Sequence, residues 1–161
     1  MDIIGIDNSV VDHIVSIDRL PKTDEEISMM EQSWQGGGKI ATALVAAARL
    51  GARTGLLGVA GDDPFGDFIV QDLINNGVDT SQFIQEKGKD SNYCISLAER
   101  ETKGRSFIGK WGSHRDYRPS DIQETYVKEA KCVHMFQFLK ADIRLAEMAK
   151  KYGELVGFDA D

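Results

Sequence analysis

The chain has 161 residues, 42% of them hydrophobic and 28% charged, with a formal net charge of −7. That size and balance fit one globular domain with its own core. The negative charge argues against nucleic acid or an anionic membrane surface as the main partner, because both are met by clustered Lys and Arg. No stretch approaches the roughly 20 apolar residues of a membrane span. Met1 runs straight into Asp2-Ile3-Ile4-Gly5-Ile6 without the basic and apolar regions of a signal peptide, so the cytoplasm is the expected location.

Ile3 to Ile6 is a short apolar run that predicts a buried strand. Imperfect alternation predicts a second strand over His13–Asp18, ended by Leu20-Pro21, and weaker alternation a third over Glu26–Gln35. Lys39 to Leu50 is rich in Ala and Leu and free of Gly and Pro, which predicts a helix closed by Gly51. A strand follows over Arg53–Ala60. Asp62-Asp63-Pro64 then opens a second helix, with an Asp as cap, Pro64 at the first helical position and Gly77 at its end.

From Thr80 to Lys110 the pattern changes to alternating segments, Tyr93–Leu97 and Ser106–Ile108, around a polar turn at Glu101–Gly104. This predicts an antiparallel hairpin. A helix over Ser120–Lys128, a strand over Cys132–Phe138, a helix over Asp142–Tyr152 closed by Gly153, and a strand over Leu155–Phe158 complete the chain. Alternating strands and helices imply an α/β fold with a mostly parallel sheet. The second and third strands and the hairpin interrupt it as a small separate sheet. Asp159 and Asp161 follow the last strand, at the edge where such sheets bind ligands. No helix follows to cover that strand, so truncation is expected.

Three groups of residues carry candidate chemistry. The run Gly36-Gly37-Gly38-Lys39 enters the Ala-rich helix. Glycines let backbone approach a ligand, and a helix start offers free N–H groups to phosphate or sugar hydroxyls. It is not a Walker A loop, since Ser33 and Ile40 stand where Gly and Ser or Thr are needed. It matches the loose dinucleotide pattern through Gly36, Gly38 and Ala41, but no good buried strand precedes it. Asn8 and Asp12 form the second group. An amide and a carboxylate suit a vicinal diol. The third, Gly61-Asp62-Asp63-Pro64-Phe65-Gly66, reads best as a helix cap. Cys94, Cys132, His13, His114 and His134 show no metal-type spacing, and no metal site is expected.

In combination these motifs resemble the ribokinase/PfkB-type family of carbohydrate kinases. The opening Gly5-Ile6-Asp7-Asn8-Ser9-Val10-Val11-Asp12 resembles the family start. Gly37-Gly38-Lys39 with Ala46-Ala47-Ala48-Arg49-Leu50-Gly51 resembles its first signature. Gly58–Gly66 and Leu73–Thr80 resemble a further family stretch.

The resemblance implies a ribokinase-like, doubly wound α/β sheet, here partial, with a β-sheet lid formed by residues around 13–35 and 88–112. It implies transfer of the ATP γ-phosphate to a sugar or nucleoside hydroxyl with ATP and Mg²⁺, and dimers through the lid strands. It places Asn8 and Asp12 on substrate hydroxyls, Gly37 and Gly38 on the sugar-contacting di-glycine, and Lys39 on the next position. Thr42 falls where many members carry Asn. The family's second signature, a Gly-Ala-Gly-Asp-like segment with the catalytic Asp, has no match, so that Asp is expected beyond Asp161. Residues 1–161 then read as the N-terminal portion of such a kinase, holding the sugar side and inactive alone. Two other readings stay open: a non-catalytic sugar-binding and dimerising module, and a dinucleotide-binding domain.

Overall fold

The computed structural model describes residues 1–160. Asp161, one of the two acids expected past the last strand, lies outside the described residues. The first strand, β1 (Ile3–Asp7), is followed by β2 (Val10–Ile17), β3 (Glu31–Gly37) and the helix α1 (Lys39–Arg49). Next come β4 (Thr54–Gly61), α2 (Pro64–Asn75), β5 (Val78–Asp79) and β6 (Phe83–Glu86). The hairpin β7 (Asn92–Glu99) and β8 (Arg105–Lys110) leads to a 3₁₀ turn at Pro119–Asp121 and α3 (Glu124–Lys128). The chain continues through β9 (Cys132–Met135), α4 (Lys140–Tyr152) and β10 (Leu155–Phe158).

Two sheets result. The larger is parallel, in the order β10-β9-β1-β4, with β5 and then β6 paired along the far edge of β4. Alternation along its strands feeds two apolar layers. Ile4, Ile6, Leu57 and Val59 face α3 and α4, packing with Val127 and Leu145. Leu56 and Ala60 face the other way, against Ile40 and Leu44 of α1 and Ile69 and Leu73 of α2. Helices on both faces make the fold doubly wound. Truncating a fully buried side chain such as Leu44 or Leu145 would cost about 2–5 kcal/mol.

The smaller sheet has the order β3-β2-β7-β8. It is inserted between β1 and α1 and again between β6 and α3, as the interrupting strands implied. Its register sets its faces. Asp12 lies beside Gln35 on one neighbour and Cys94 on the other, and Cys94 lies beside Gly109. The opposite face carries His13, Trp34 and Tyr93. These stack on one another and on Phe65 of α2, with His13–Trp34 centroids 4.1 Å apart and Phe65–Tyr93 centroids 4.8 Å apart. That aromatic group fastens the small sheet to the start of α2.

The structure departs from the sequence reading at several boundaries. β2 starts at Val10 rather than His13. β3 starts at Glu31 rather than Glu26, because Glu25 is bound by Arg19 and by the Lys22 amide, which holds residues 19–25 in a turn. The segment after Thr80 is not hairpin throughout. Asp79 accepts from the Ser81 amide and hydroxyl, turning the chain so that Phe83–Glu86 returns parallel to β4. The helix expected over Ser120–Lys128 is split. The Asp121 carboxylate accepts from the Arg118 amide and closes a single 3₁₀ turn, and α3 begins only at Glu124. The strand from Cys132 stops at Met135. Cys94 and Cys132 are free and half-buried.

Candidate functional site

In an open parallel sheet, ligands bind beyond the strand carboxyl ends where the winding reverses. Here the chain leaves β1 toward β4 on one side and later places β9 on the other. The reversal lies between β1 and β9. A cleft of about 610 Å³ opens there, walled by Asp7 and Asn8 after β1, Phe136 and Gln137 after β9, Gly38 and Lys39 at the start of α1, and the Asp12 face of the small sheet.

Asp7, which the sequence reading passed over, organises the floor. It is buried at the end of β1, and its Oδ2 accepts the Ala41 amide at 2.9 Å. The N-cap residue of α1, Gly38, has no side chain to satisfy these amides. Asp7 performs that capping from another element. Burial pushes the Asp7 pKa up to about 6, opposed by amide bonds from Ala41, Ile40 and Asn8 and by the nearby Lys39 charge. Its other oxygen, Oδ1, has no partner among the described residues. A narrow recess beside the cleft links Asp7 to Asp142 at the start of α4. Burial also raises Asp142 to about 6, with Asp7 adding like-charge repulsion.

Gly38 has φ +112°, a region that disfavours side chains, and a Cβ there would run into the Asp7 carboxylate. Gly37 has a different reason to be glycine: a Cβ would overlap the Asp12 carboxylate. The two glycines thus let two acids approach the same stretch of backbone. Asp12 is half-buried. Its pKa is raised by burial, with the neighbouring Cys94 thiol acting in the opposite direction. Lys39 reaches over the Phe136 ring, 5.6 Å from its centroid.

Of the residues named from sequence, Asn8, Asp12, Gly38 and Lys39 meet in the cleft. Gly37 forms part of its wall through Asp12, and also lines a neighbouring cavity of about 180 Å³ between β3, α1 and α2. Thr42 is exposed and lines that second cavity with Arg49, Asp72 and Asn76, not the cleft. The Asp62–Gly66 stretch is a helix cap, as its spacing suggested: Asp63 accepts from Gly66 at 2.8 Å and from the Ser91 amide at 2.9 Å. The glycine run does not sit in the turn of a βαβ unit. The strand before it, β3, is antiparallel to β2 in the small sheet, which is not the dinucleotide arrangement.

The small sheet adds groups that the sequence did not single out. Asn92 donates to the Ser9 carbonyl at 3.1 Å and accepts the Gly112 amide at 2.8 Å, joining three segments at the cleft rim. Phe107 and Trp111 line the mouth and are 59% and 84% exposed. Lys110 also lines it, paired with Asp90 at 3.0 Å. Alternation predicted the strands but not their register, so their cleft face was not legible.

Comparison with known proteins agrees with this geometry. Residues 6–153 match the pfkB family carbohydrate kinase family. The chain is 37% identical over 137 residues to a 5-dehydro-2-deoxygluconokinase of Geobacillus thermodenitrificans, covering 78% of this chain and 40% of the relative. It is 32% identical over 151 residues to an ATP-dependent ribose-1-phosphate kinase of Halopiger xanaduensis, covering 92% of this chain and 50% of that one. The chain therefore spans about half the length, or less, of the curated relatives it matches.

Among solved structures, an Arabidopsis thaliana ribokinase complexed with ribose and ATP superposes with a TM-score of 0.81 at 23% identity, over 99% of this chain and 53% of that one. An adenosine kinase of Sinorhizobium meliloti gives 0.79 at 19% identity, over 98% and 55%. Both show a common fold, the ribokinase-like doubly wound sheet with its small second sheet. The match of nearly the whole sequence, on a fold whose cleft lies where the winding reverses, makes this chain a member of the PfkB family of carbohydrate kinases.

Proposed function

We propose that the chain supplies the acceptor side of an ATP-dependent sugar kinase. It holds a sugar so that one hydroxyl can receive the γ-phosphate. The catalytic carboxylate and the ATP contacts then come from residues beyond the 161 of this sequence. The observation that carries this reading is the convergence of Asp12, Asn8 and Lys39 on one cleft, with Asp12 packed against Gly37. An ionised carboxylate accepts two hydroxyl hydrogen bonds, an amide donates and accepts, and an ammonium donates. That is the complement of a vicinal diol.

The start of α1 supports sugar over phosphate at this point. Its amides are occupied by the Asp7 carboxylate, and a second anion there would meet like charge. Among the described residues no group of three His, Cys, Asp or Glu is placed to hold a metal ion. ATP and Mg²⁺ are expected for the complete kinase, and no step is assigned to them on this chain. Phosphoryl transfer depends on positioning and on charge stabilisation around the transferred group. The residues here perform the positioning of the acceptor.

A second copy of the chain is the expected partner. β8 is an edge of the small sheet and carries Phe107 and Ile108, each 59% exposed. Such an edge invites pairing, which also keeps the dimerising-module reading in view. Among the described residues no helix is long and apolar enough to cross a membrane. Cytoplasmic location remains part of the proposal.

The test is a coupled ADP-release assay on the protein encoded by the complete reading frame, with ribose, fructose and 5-dehydro-2-deoxygluconate as acceptors. Sugar-dependent turnover that falls at least ~100-fold in kcat/KM for Asp12→Ala is expected, about 2.7 kcal/mol. Robust turnover by residues 1–161 alone would overturn the assignment of the catalytic groups to sequence outside this chain.

A further inference from the structure

We propose that the cavity of about 180 Å³ between β3, α1 and α2 is a second ligand site, which takes a small neutral polyol. Thr42 and Arg49 of α1 line it from one side, Asp72 and Asn76 of α2 from another, and Gly36 and Ser9 complete it. The spacing within each helix puts both of its polar residues on one face. Successive residues of a strand face opposite ways. Gly37 faces Asp12, whereas Gly36 faces Asp72, where a Cβ would run into the Asp72 carboxylate. The backbone of this glycine pair therefore separates the cavity from the sugar cleft.

Two groups point to a ligand. Ser9 is 1% exposed, it lines the cavity, and its Oγ has no partner among the described residues. A buried hydroxyl without a hydrogen bond is destabilising, and a bound group that pairs with it recovers the loss. The Asp72 carboxylate accepts a long bond, 3.4 Å, from the Asn76 amide. An ionised carboxylate has roughly four lone-pair sites, so most of them stay open to a donor.

The ligand class follows from the lining. Ser9 and Thr42 offer hydroxyls that donate and accept, Asp72 accepts, and Arg49 donates. One charge of each sign borders the cavity, so a simple anion would meet Asp72 and a simple cation Arg49. A zwitterion such as a free amino acid would need the Arg49 guanidinium for its carboxylate. That guanidinium already donates twice to Asn76 Oδ1, at 2.9 and 2.6 Å, and Asn76 is held in turn by the Asp72 carbonyl at 2.8 Å. A neutral polyhydroxyl molecule uses these groups without breaking that bridge. Val45, Ile69 and Leu73 supply apolar wall for its carbon chain.

The test is a titration of the ¹⁵N-labelled 161-residue chain with xylitol, followed by amide chemical shifts. Saturable shifts are expected at Gly36, Thr42, Arg49, Asp72 and Asn76, with a Kd on the order of 1 mM or tighter. Ser9→Ala is expected to weaken binding at least ~5-fold without lowering the melting temperature, because it removes an unpaired buried group. Asp72→Ala is expected to weaken it at least ~10-fold. Asp12→Asn, on the other side of the glycine pair, should leave the Kd within about twofold.

No saturable shift at these amides, shifts confined to Asn8, Asp12 and Lys39 in the cleft, or tighter binding of alanine than of xylitol would overturn the proposal. So would an unchanged Kd in Ser9→Ala, a variant that decides the matter even if Asp72→Ala fails to fold.

Discussion

The Asp7 carboxylate accepts the Ala41 amide at 2.9 Å, so the end of the first parallel strand caps the first helix across 34 residues of sequence. Everything between them, the Asn8–Asp12 segment, β2, β3 and the glycine run, is an excursion that leaves the main sheet and returns to the same point. The cleft is the space that this excursion frames. Gly38 sits at the closure, with φ +112° and no room for a Cβ beside Asp7. Gly38→Ala is expected to lower stability by about 1–3 kcal/mol, through backbone strain and displacement of the cap. Urea denaturation of the two proteins measures it.

Gly37→Ala has a different signature. Its backbone is not in the left-handed region, so the substitution acts by driving a methyl group into the Asp12 carboxylate. Sugar binding is expected to weaken at least ~10-fold, about 1.4 kcal/mol, while stability falls by about 1–2 kcal/mol. Calorimetric titration and thermal melting of one preparation give both numbers.

The pH dependence of stability follows from the buried acids. Asp7 and Asp142 titrate near 6 in the folded chain, chiefly because burial disfavours their charge. In the unfolded chain they titrate near the ordinary carboxylate value of about 4. Between these values the native state holds more protons than the unfolded state. Stability is therefore expected to fall as pH rises from about 4 to 6 and to level off above.

At lower pH the sign reverses. Asp63 feels burial pushing its pKa up, but bonds from Ser91 and Gly66 outweigh it and hold it below the usual range. Asp121 is held low in the same sense, by Arg115 and the Arg118 amide against burial. Their contribution is present above the unfolded pKa and lost as pH drops through the folded one. Melting temperature should peak near pH 4–5. Asp7→Asn keeps an oxygen for Ala41 and should flatten the fall between pH 4 and 6 by on the order of 2 kcal/mol. A denaturation series over pH 3–8 checks both statements.

Much of this was legible in the sequence. Leu56–Leu57 and Val59–Ala60 announce a strand buried on both faces, and the Ala-rich run after Lys39 announces a helix held close to it. Asn8, Asp12 and Lys39 were singled out through the family resemblance, and all three line the cleft. Asp7 was not found, because a carboxylate on the last residue of a strand looks like its boundary, and its partner Ala41 is distant in sequence. Cys94, Phe107 and Trp111 were missed because their relation to the cleft depends on cross-strand register, which alternation alone does not fix. Thr42 was named from its position in a motif, and the turn of α1 that carries it points to the second cavity.

Asp63 links the start of α2 to the small sheet. It caps Gly66 and also accepts from the Ser91 amide and, at 2.6 Å, from the Ser91 hydroxyl. Asp63→Ala removes the cap and leaves buried donors at Ser91 unpaired, an expected loss of about 2–4 kcal/mol. Asp63→Asn should recover part of it. Chemical denaturation of the three proteins ranks them.

Phe65 performs a related task through packing. It stacks on Tyr93 at 4.8 Å and on Trp34 at 6.1 Å, between α2 and the small sheet. Phe65→Ala is expected to cost about 1–3 kcal/mol and to loosen the small sheet before the parallel one. Hydrogen exchange should then quicken in residues 10–17 and 92–99 more than in residues 54–61.

In the proposed reading Asp12 receives sugar hydroxyls in the cleft between β1, β9 and the small sheet. Calorimetric titration of the 161-residue chain with ribose, fructose and 5-dehydro-2-deoxygluconate tests it most directly. Saturable binding of at least one of these sugars is expected, weakened at least ~10-fold by Asp12→Asn, about 1.4 kcal/mol, with the melting temperature little changed. Binding of the same strength in Asp12→Asn, or none of the sugars binding a folded wild-type chain, would contradict it.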